Sequence, residues 1–357
     1  MRRRLPLLAL GLGLAGIAIA LGLVGLPSAI ASRIEAWKLR PRVVTGADAF
    51  ETVSVTEDRT VRQTGEFDGA PGEDVAIIDF ASVQLLNSAT LAVEQRLELD
   101  GQLRARWTPA SRLARLGGAL VIVDTGGGLD ETRVRELDGT ERWRYRPHTD
   151  IPASSLVPAD LDGDGETEFY ATITSNTVRL DATGDERWRA PFSVGRIAAT
   201  APRTRRDPGW VVAEGQGQMV VWDEAGTRLA NVTMKDARPV GVIDWPDSRY
   251  VLAGGSAARA IGLDGTVVFD WAVPNMTVIA ALPVLLEPGT PPAVALIAAS
   301  PRQTNRWRLQ IVAREKTLLY DELLDTPTEL LKARGADGTD RLFLDRASLL
   351  ALRRRSG

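Results

Sequence analysis

From residue 50 to the C-terminus the apolar positions fall in short runs bounded by turn residues, and none of them repeats at the 3.6-residue spacing of a sizeable helix. Seven such runs recur: Val75–Ile78, Leu120–Val123, Phe169–Ile173, Val211–Ala213, Val251–Ala253, Val294–Ile297 and Leu342–Leu344, with starts 40 to 49 residues apart. They are continuous rather than alternating, as expected of strands covered on both faces. A second series follows the first five: Leu99-Asp-Gly101, Leu137-Asp-Gly139, Leu180-Asp-Ala-Thr-Gly184, Trp222-Asp-Glu-Ala-Gly226 and Leu263-Asp-Gly265. Each puts glycine where a hairpin needs positive φ. Aromatic residues follow at a near-constant offset, at Trp107, Trp143, Trp188, and Phe269 with Trp271, with none in the fourth copy. Strands repeating every forty residues or so predict an all-β, seven-bladed β-propeller over residues 50–357, each run an inner strand and the aromatics packed between blades. The sixth repeat lacks the Asp-Gly turn and the seventh lacks one strand. Thr52-Val-Ser-Val-Thr56, which precedes the first repeat, is the strand free to complete the seventh and tie the chain ends together.

One stretch interrupts this pattern with charge. Asp160-Leu-Asp-Gly-Asp-Gly-Glu-Thr-Glu168 sets carboxylates at alternate positions between two strand-forming segments. Asp160, Asp162 and Asp164 offer hard oxygen donors, Gly165 permits the bend, Glu166 offers its carbonyl, and Glu168 adds a carboxylate directly or through water. That donor set predicts one Ca²⁺. The twelfth position is Ala171, so the loop is not an EF-hand. These residues resemble the FG-GAP or VCBS repeat, the calcium-binding blade motif of integrin-like propellers, with Glu168 where that family more often has Asp. Leu180-Asp-Ala-Thr-Gly-Asp-Glu-Arg-Trp188 resembles the repeat of quinoprotein-like propellers, whose tryptophan packs between blades. Degenerate loops at Glu66–Asp74 and Ala336–Asp340 keep too few ligands and read as metal-free turns.

Composition narrows the function. With 43 basic and 46 acidic side chains the net charge is −3, and no basic block interleaved with aromatics marks a nucleic-acid face. Cysteine is absent, which excludes disulfides, thiolate metal sites and a cysteine nucleophile. The one histidine, His148, cannot build a multi-histidine site. Thr125-Gly-Gly-Gly128 follows a strand without the helix or lysine of a phosphate loop, and Gly254-Gly-Ser256 is not a nucleophile elbow.

The N-terminus sets the compartment. Arg2–Arg4 precede an uncharged apolar stretch, Leu5–Ala31, longer than the ~20 residues a bilayer requires. Residues 1–31 therefore read as a transmembrane signal-anchor and 32–49 as a charged stalk; a secreted protein cleaved near Ala31 is the alternative. The expectation is a membrane-anchored, extracytoplasmic propeller, periplasmic or at the cell surface, that binds a protein or glycan and carries structural calcium. A polysaccharide-acting lyase or hydrolase is the competing reading; it would need convergent carboxylates and basic groups in the central depression.

Overall fold

The structure, a computed structural model, describes residues 50–354 except 57–60, 79–80, 100–111, 125–131, 147–153, 174–175, 192–195, 303–305, 325 and 346–348. Outside the described residues lie the Leu5–Ala31 anchor, the 32–49 stalk, the Asp100-Gly101 turn, Trp107, His148 and the Thr125–Gly128 turn. Everything described is strand, turn or loop, without a helix, and no described helix is long and apolar enough to cross a membrane.

The strand β1 (Phe50–Thr56) is followed by four-stranded antiparallel sheets in chain order. The first is β2 (Val61–Gly65), β3 (Asp74–Ile78), β4 (Ser82–Asn87) and β5 (Val93–Glu98). The second is β6 (Arg112–Leu116), β7 (Ala119–Asp124), β8 (Thr132–Glu136) and β9 (Glu141–Tyr145). The third is β10 (Ser154–Ala159), β11 (Glu168–Ile173), β12 (Asn176–Leu180) and β13 (Glu186–Pro191). The fourth is β14 (Arg196–Ala201), β15 (Trp210–Gly215), β16 (Gln218–Asp223) and β17 (Arg228–Thr233). Next come β18 (Ala237–Asp244), β19 (Arg249–Gly255), β20 (Ala258–Ile261) and β21 (Val267–Trp271), then β22 (Thr277–Val284), β23 (Ala293–Ala299), β24 (Trp307–Val312) and β25 (Leu318–Leu324). Last are β26 (Glu329–Arg334), β27 (Asp340–Asp345) and β28 (Leu349–Arg354).

All seven apolar runs fall on the second strand of their repeat, and β3, β11, β19 and β23 are buried almost throughout. The closing strand is also where the sequence puts it: β1 pairs antiparallel with β28, Val53 opposite Ala351, giving the sheet order β1-β28-β27-β26. Where the runs predict seven separate blades, the structure has five free-standing four-stranded blades and one sheet of eight strands. The two halves of that sheet, β18–β21 and β22–β25, are joined at one pair, Gly255 opposite Val278. Glycine permits the approach. A Cβ on Gly254 would stand 2.6 Å from the Val278 carbonyl oxygen, and one on Gly255 2.1 Å from that of Asp236.

Apolar clusters run between neighbouring sheets around the ring. Leu85 of the first blade packs with Ile122 of the second, Val134 with Phe169 of the third, and Tyr170 with Trp222 of the fourth. Val221 then packs with Val251 of the double sheet, Ile311 with Leu342 of the last blade, and Phe343 back against Val75 of the first. That last contact closes the circle, reinforced by the Arg62–Asp345 ion pair and by Glu73 N–H donating to the Arg334 carbonyl at 2.6 Å.

Between blades, Trp143 and Trp188 each seat on a glycine of the next outer hairpin. The Trp143 indole N–H donates to the Ala182 carbonyl and Trp188 to Glu224, both at 3.0 Å. Their rings cover Gly184 and Gly226, whose φ values are 85° and 84°. In the fourth copy Val232 meets Gly265 instead. Trp143 and Trp188 therefore pack between blades, as the spacing predicts, and Trp271 reaches Gln310 of the next blade at 2.9 Å.

Candidate functional site

The acidic stretch forms the loop between β10 and β11. Its short aspartates fold it by binding backbone a few residues on, the local turn chemistry favoured by Asp before Gly. Asp160 accepts from Gly163 N–H at 2.7 Å and Gly165 N–H at 3.0 Å, and Asp164 accepts from Glu166 N–H at 2.8 Å. Gly163 and Gly165 take φ of 78° and 88° with nothing within 4 Å of where a Cβ would be. Leu161, fully buried, plugs the loop against the fourth blade, its carbonyl accepting from Arg203 N–H at 2.6 Å.

Of the five expected ligands, Asp160, Asp162 and Glu168 come together, with one carboxylate oxygen from each within 4.8 Å of the others. Asp164 and Glu166 are exposed and outside that group. The register of β11 turns Glu168 inward to 4% exposure. There it meets Arg179 of β12, whose Nη2 donates to Glu168 Oε1 at 2.5 Å and to Asp162 Oδ2 at 3.3 Å. Glu168 Oε2 accepts from Leu161 N–H and the Tyr170 hydroxyl, both at 3.2 Å. Burial raises the Glu168 carboxyl above its ordinary range, opposed by the Leu161 N–H and the Arg179 charge. Tyr170 is raised too, by burial and then by the Glu168 charge.

Each oxygen of the three gathered carboxylates thus already has a donor, and a guanidinium sits among them. As placed, the residues do not fit a metal ion, because an ion and Arg179 would compete for the same oxygens. The sequence spacing marks the acids but not this arginine.

The first degenerate loop repeats the inward carboxylate, with Asp74 bound by the N–H seven residues back as Glu168 is, and the last does not. In the first, Asp74 accepts from Phe67 N–H at 3.0 Å and Asp68 N–H at 3.2 Å, and Asp68, Asp74 and Glu94 gather within 4.8 Å. In the last, Asp340 pairs with Arg334 and accepts from Leu285 N–H at 2.8 Å.

A cleft of about 970 Å³ opens at the opposite ends of the first strands, across β14, β18 and β22. Its lining includes Arg196, Glu214, Gln216, Asp236 and Arg238 together with Ile279. Arg196 pairs with Glu214 at 2.6 Å. Gln216 and Asp236 hold φ of 52° and 54°, a left-handed conformation costly for side chains other than glycine. Bulges fall between Pro239 and Gly241 and between Val278 and Ala280, which takes Ile279 out of the ladder at 43% exposure. Sequence reasoning missed this cleft; its signals were Glu214-Gly-Gln-Gly217 and Gly254-Gly255.

Neither a family model nor a curated protein sequence matches the chain. In three dimensions it is similar to BBS1N as crystallised in complex with ARL6DN and soaked with lead, at TM-score 0.58 and 12% identity over 85% of this chain and 94% of that one. The mercury-soaked crystal of the same complex gives TM-score 0.57 and 12% identity over 84% and 96%. BamB from Moraxella catarrhalis matches at TM-score 0.50 and 14% identity over 83% and 86%. At such identities the likeness shows the fold and leaves the function to the residues. By fold, the chain is a β-propeller.

Proposed function

We propose that the chain is a membrane-tethered, extracytoplasmic propeller that binds a protein partner through the cleft across β14, β18 and β22. The observation that carries this reading is the pairing of strained polar backbone at Gln216 and Asp236 with an exposed isoleucine, Ile279, in the lining of the same cleft. Strain of this kind persists where it serves a site, and an apolar patch rimmed by polar groups suits a protein surface. Among the described residues the lining includes no aromatic ring on which a sugar could stack, which favours protein over glycan. BBS1N, similar in fold, was crystallised in complex with ARL6DN. In the proposal the double sheet acts as two blades joined at Gly255, making a ring of seven, and Leu5–Ala31 is the tether. Calcium at Asp160, Asp162, Asp164, Glu166 and Glu168, the expectation from the sequence, is left out of the proposal, because Arg179 already holds Asp162 and Glu168. The enzymatic alternative gains little from the cleft, where Glu214 is paired with Arg196 and, among the described residues, Asp236 is the other lining carboxylate.

Photo-crosslinking in cells tests the reading. A benzophenone side chain at Arg238 should give one discrete protein adduct that Ile279→Asp abolishes, while the same probe at Asp164, on the other end of the blades, gives none. Equal adducts at both positions, or none at Arg238, would overturn it.

A further inference from the structure

We infer that Arg179 is the resident cation of the 160–168 loop, a side chain holding the place that the carboxylate spacing reserves for a metal ion. The position makes the point. Tyr170 stands opposite Arg179 across β11 and β12, as Ala76 stands opposite Leu85 in the first blade and Val212 opposite Val221 in the fourth. Leu85 and Val221 are fully buried core residues. The third blade puts an arginine at this core-facing position, where burying a charge is costly unless it is paired. Here it is paired. The guanidinium reaches Glu168 and Asp162 on one side and, through Nη1, the Glu224 carbonyl of the next blade at 2.9 Å. That carbonyl also accepts from the Trp188 indole, so one oxygen joins the acidic loop, the inter-blade tryptophan and the outer turn of the fourth blade.

Two consequences separate this arrangement from an ordinary calcium loop. The loop keeps its shape without metal, because the fixed positive charge already offsets the crowded carboxylates. Calcium and Arg179 exclude each other, because both need Glu168 and Asp162; deleting the guanidinium charge therefore creates a calcium site. Removal of a like charge at contact distance should favour the incoming ion by about ten-fold or more. This inference stands apart from the protein-binding proposal, and its test does not use a partner.

The experiment uses the full-length chain in detergent micelles, with thermal unfolding read against CaCl₂ and with TbCl₃ as a luminescent probe that Tyr170 would sensitise. Wild type should show no calcium-dependent rise in melting temperature up to about 1 mM, the weak end of extracellular calcium sites. Arg179→Gln should melt lower in chelator, recover with calcium, and gain terbium luminescence. A merely structural arginine would give the loss without the calcium rescue. Arg179→Lys, which keeps a charge, should fold and stay silent to calcium, and it decides the matter if the glutamine variant does not accumulate. Wild type binding calcium as tightly as Arg179→Gln, a glutamine variant that calcium cannot rescue, or a lysine variant that gains calcium binding would each overturn the inference.

Discussion

Gly165 and Gly226 offer a way to weigh the inter-blade tryptophan seat against backbone strain alone. Both glycines hold nearly the same left-handed conformation, φ 88° and 84°. Alanine at either should cost about 1–2 kcal/mol for that conformation. Around Gly165 nothing lies within 4 Å of the new methyl, so the backbone cost is the whole cost. At Gly226 the methyl would stand 2.9 Å from both Cδ2 and Cγ of Trp188, inside any real carbon contact. Ring displacement of this sort adds about 1–3 kcal/mol, and it pulls the indole from the Glu224 carbonyl it holds at 3.0 Å. Gly226→Ala should therefore destabilise by about 2–5 kcal/mol in total. Urea unfolding followed by far-ultraviolet circular dichroism measures both variants. In a Trp188→Ala background the clash disappears, and Gly226→Ala should cost no more than Gly165→Ala does in wild type. Equal costs for the two glycines in wild type, or an unchanged Gly226 cost without the tryptophan, would refute the seat.

In the hairpin after β24, exposed Lys316 holds φ of 66° where the second to fifth repeats have glycine, so Lys316→Gly should raise stability by about 0.5–1 kcal/mol in the same assay. Cysteines at Val53 and Ala351, opposite each other in β1 and β28 and introduced into a chain that has none, should form a disulfide on oxidation and raise the melting temperature; failure to cross-link would contradict the register. Burial works against the Asp337 charge, but the Thr339 N–H and hydroxyl and Arg341 overcome it and hold the carboxyl at about 2, below the ordinary 3.8. Its stabilisation is complete above the unfolded value and is lost as pH falls through the folded one. The stability gap between wild type and Asp337→Asn should thus shrink from pH ~4 to ~2, and a constant gap would contradict the assignment.

Much of the architecture was legible because burial on both faces leaves its mark in one strand per repeat. Each apolar run, from Val75 to Leu344, lies on a second strand, and the spare strand at Thr52–Thr56 could be matched to the incomplete last blade. Turn glycines were legible for the same local reason, since Gly139, Gly184, Gly226 and Gly265 all take positive φ. The junction within the double sheet was not, because it depends on how closely β22 approaches Gly254 and Gly255, a distance that no periodicity encodes. Carboxylate spacing showed which acids share a turn. It could not show that strand register brings Arg179, eleven residues beyond Glu168, into their midst, or that Asp164 and Glu166 are left outside. The cleft was hidden because it is assembled from the ends of three first strands far apart in sequence.

The pairing of β1 with β28 makes the fold a test of its own completeness. β1 is among the first parts of the propeller to leave the ribosome, yet its partner begins at Leu349. At bacterial or eukaryotic synthesis rates that gap of roughly 290 residues takes about 15–60 s, during which the first strand has no partner on β28. A chain cut short anywhere before Leu349 can stack blades in order but leaves β1 without its partner strand, the kind of open edge that invites other strands. Only a finished chain removes it. Truncated products should therefore be recognisable to proteases and chaperones by the unpaired β1, whatever the site of truncation.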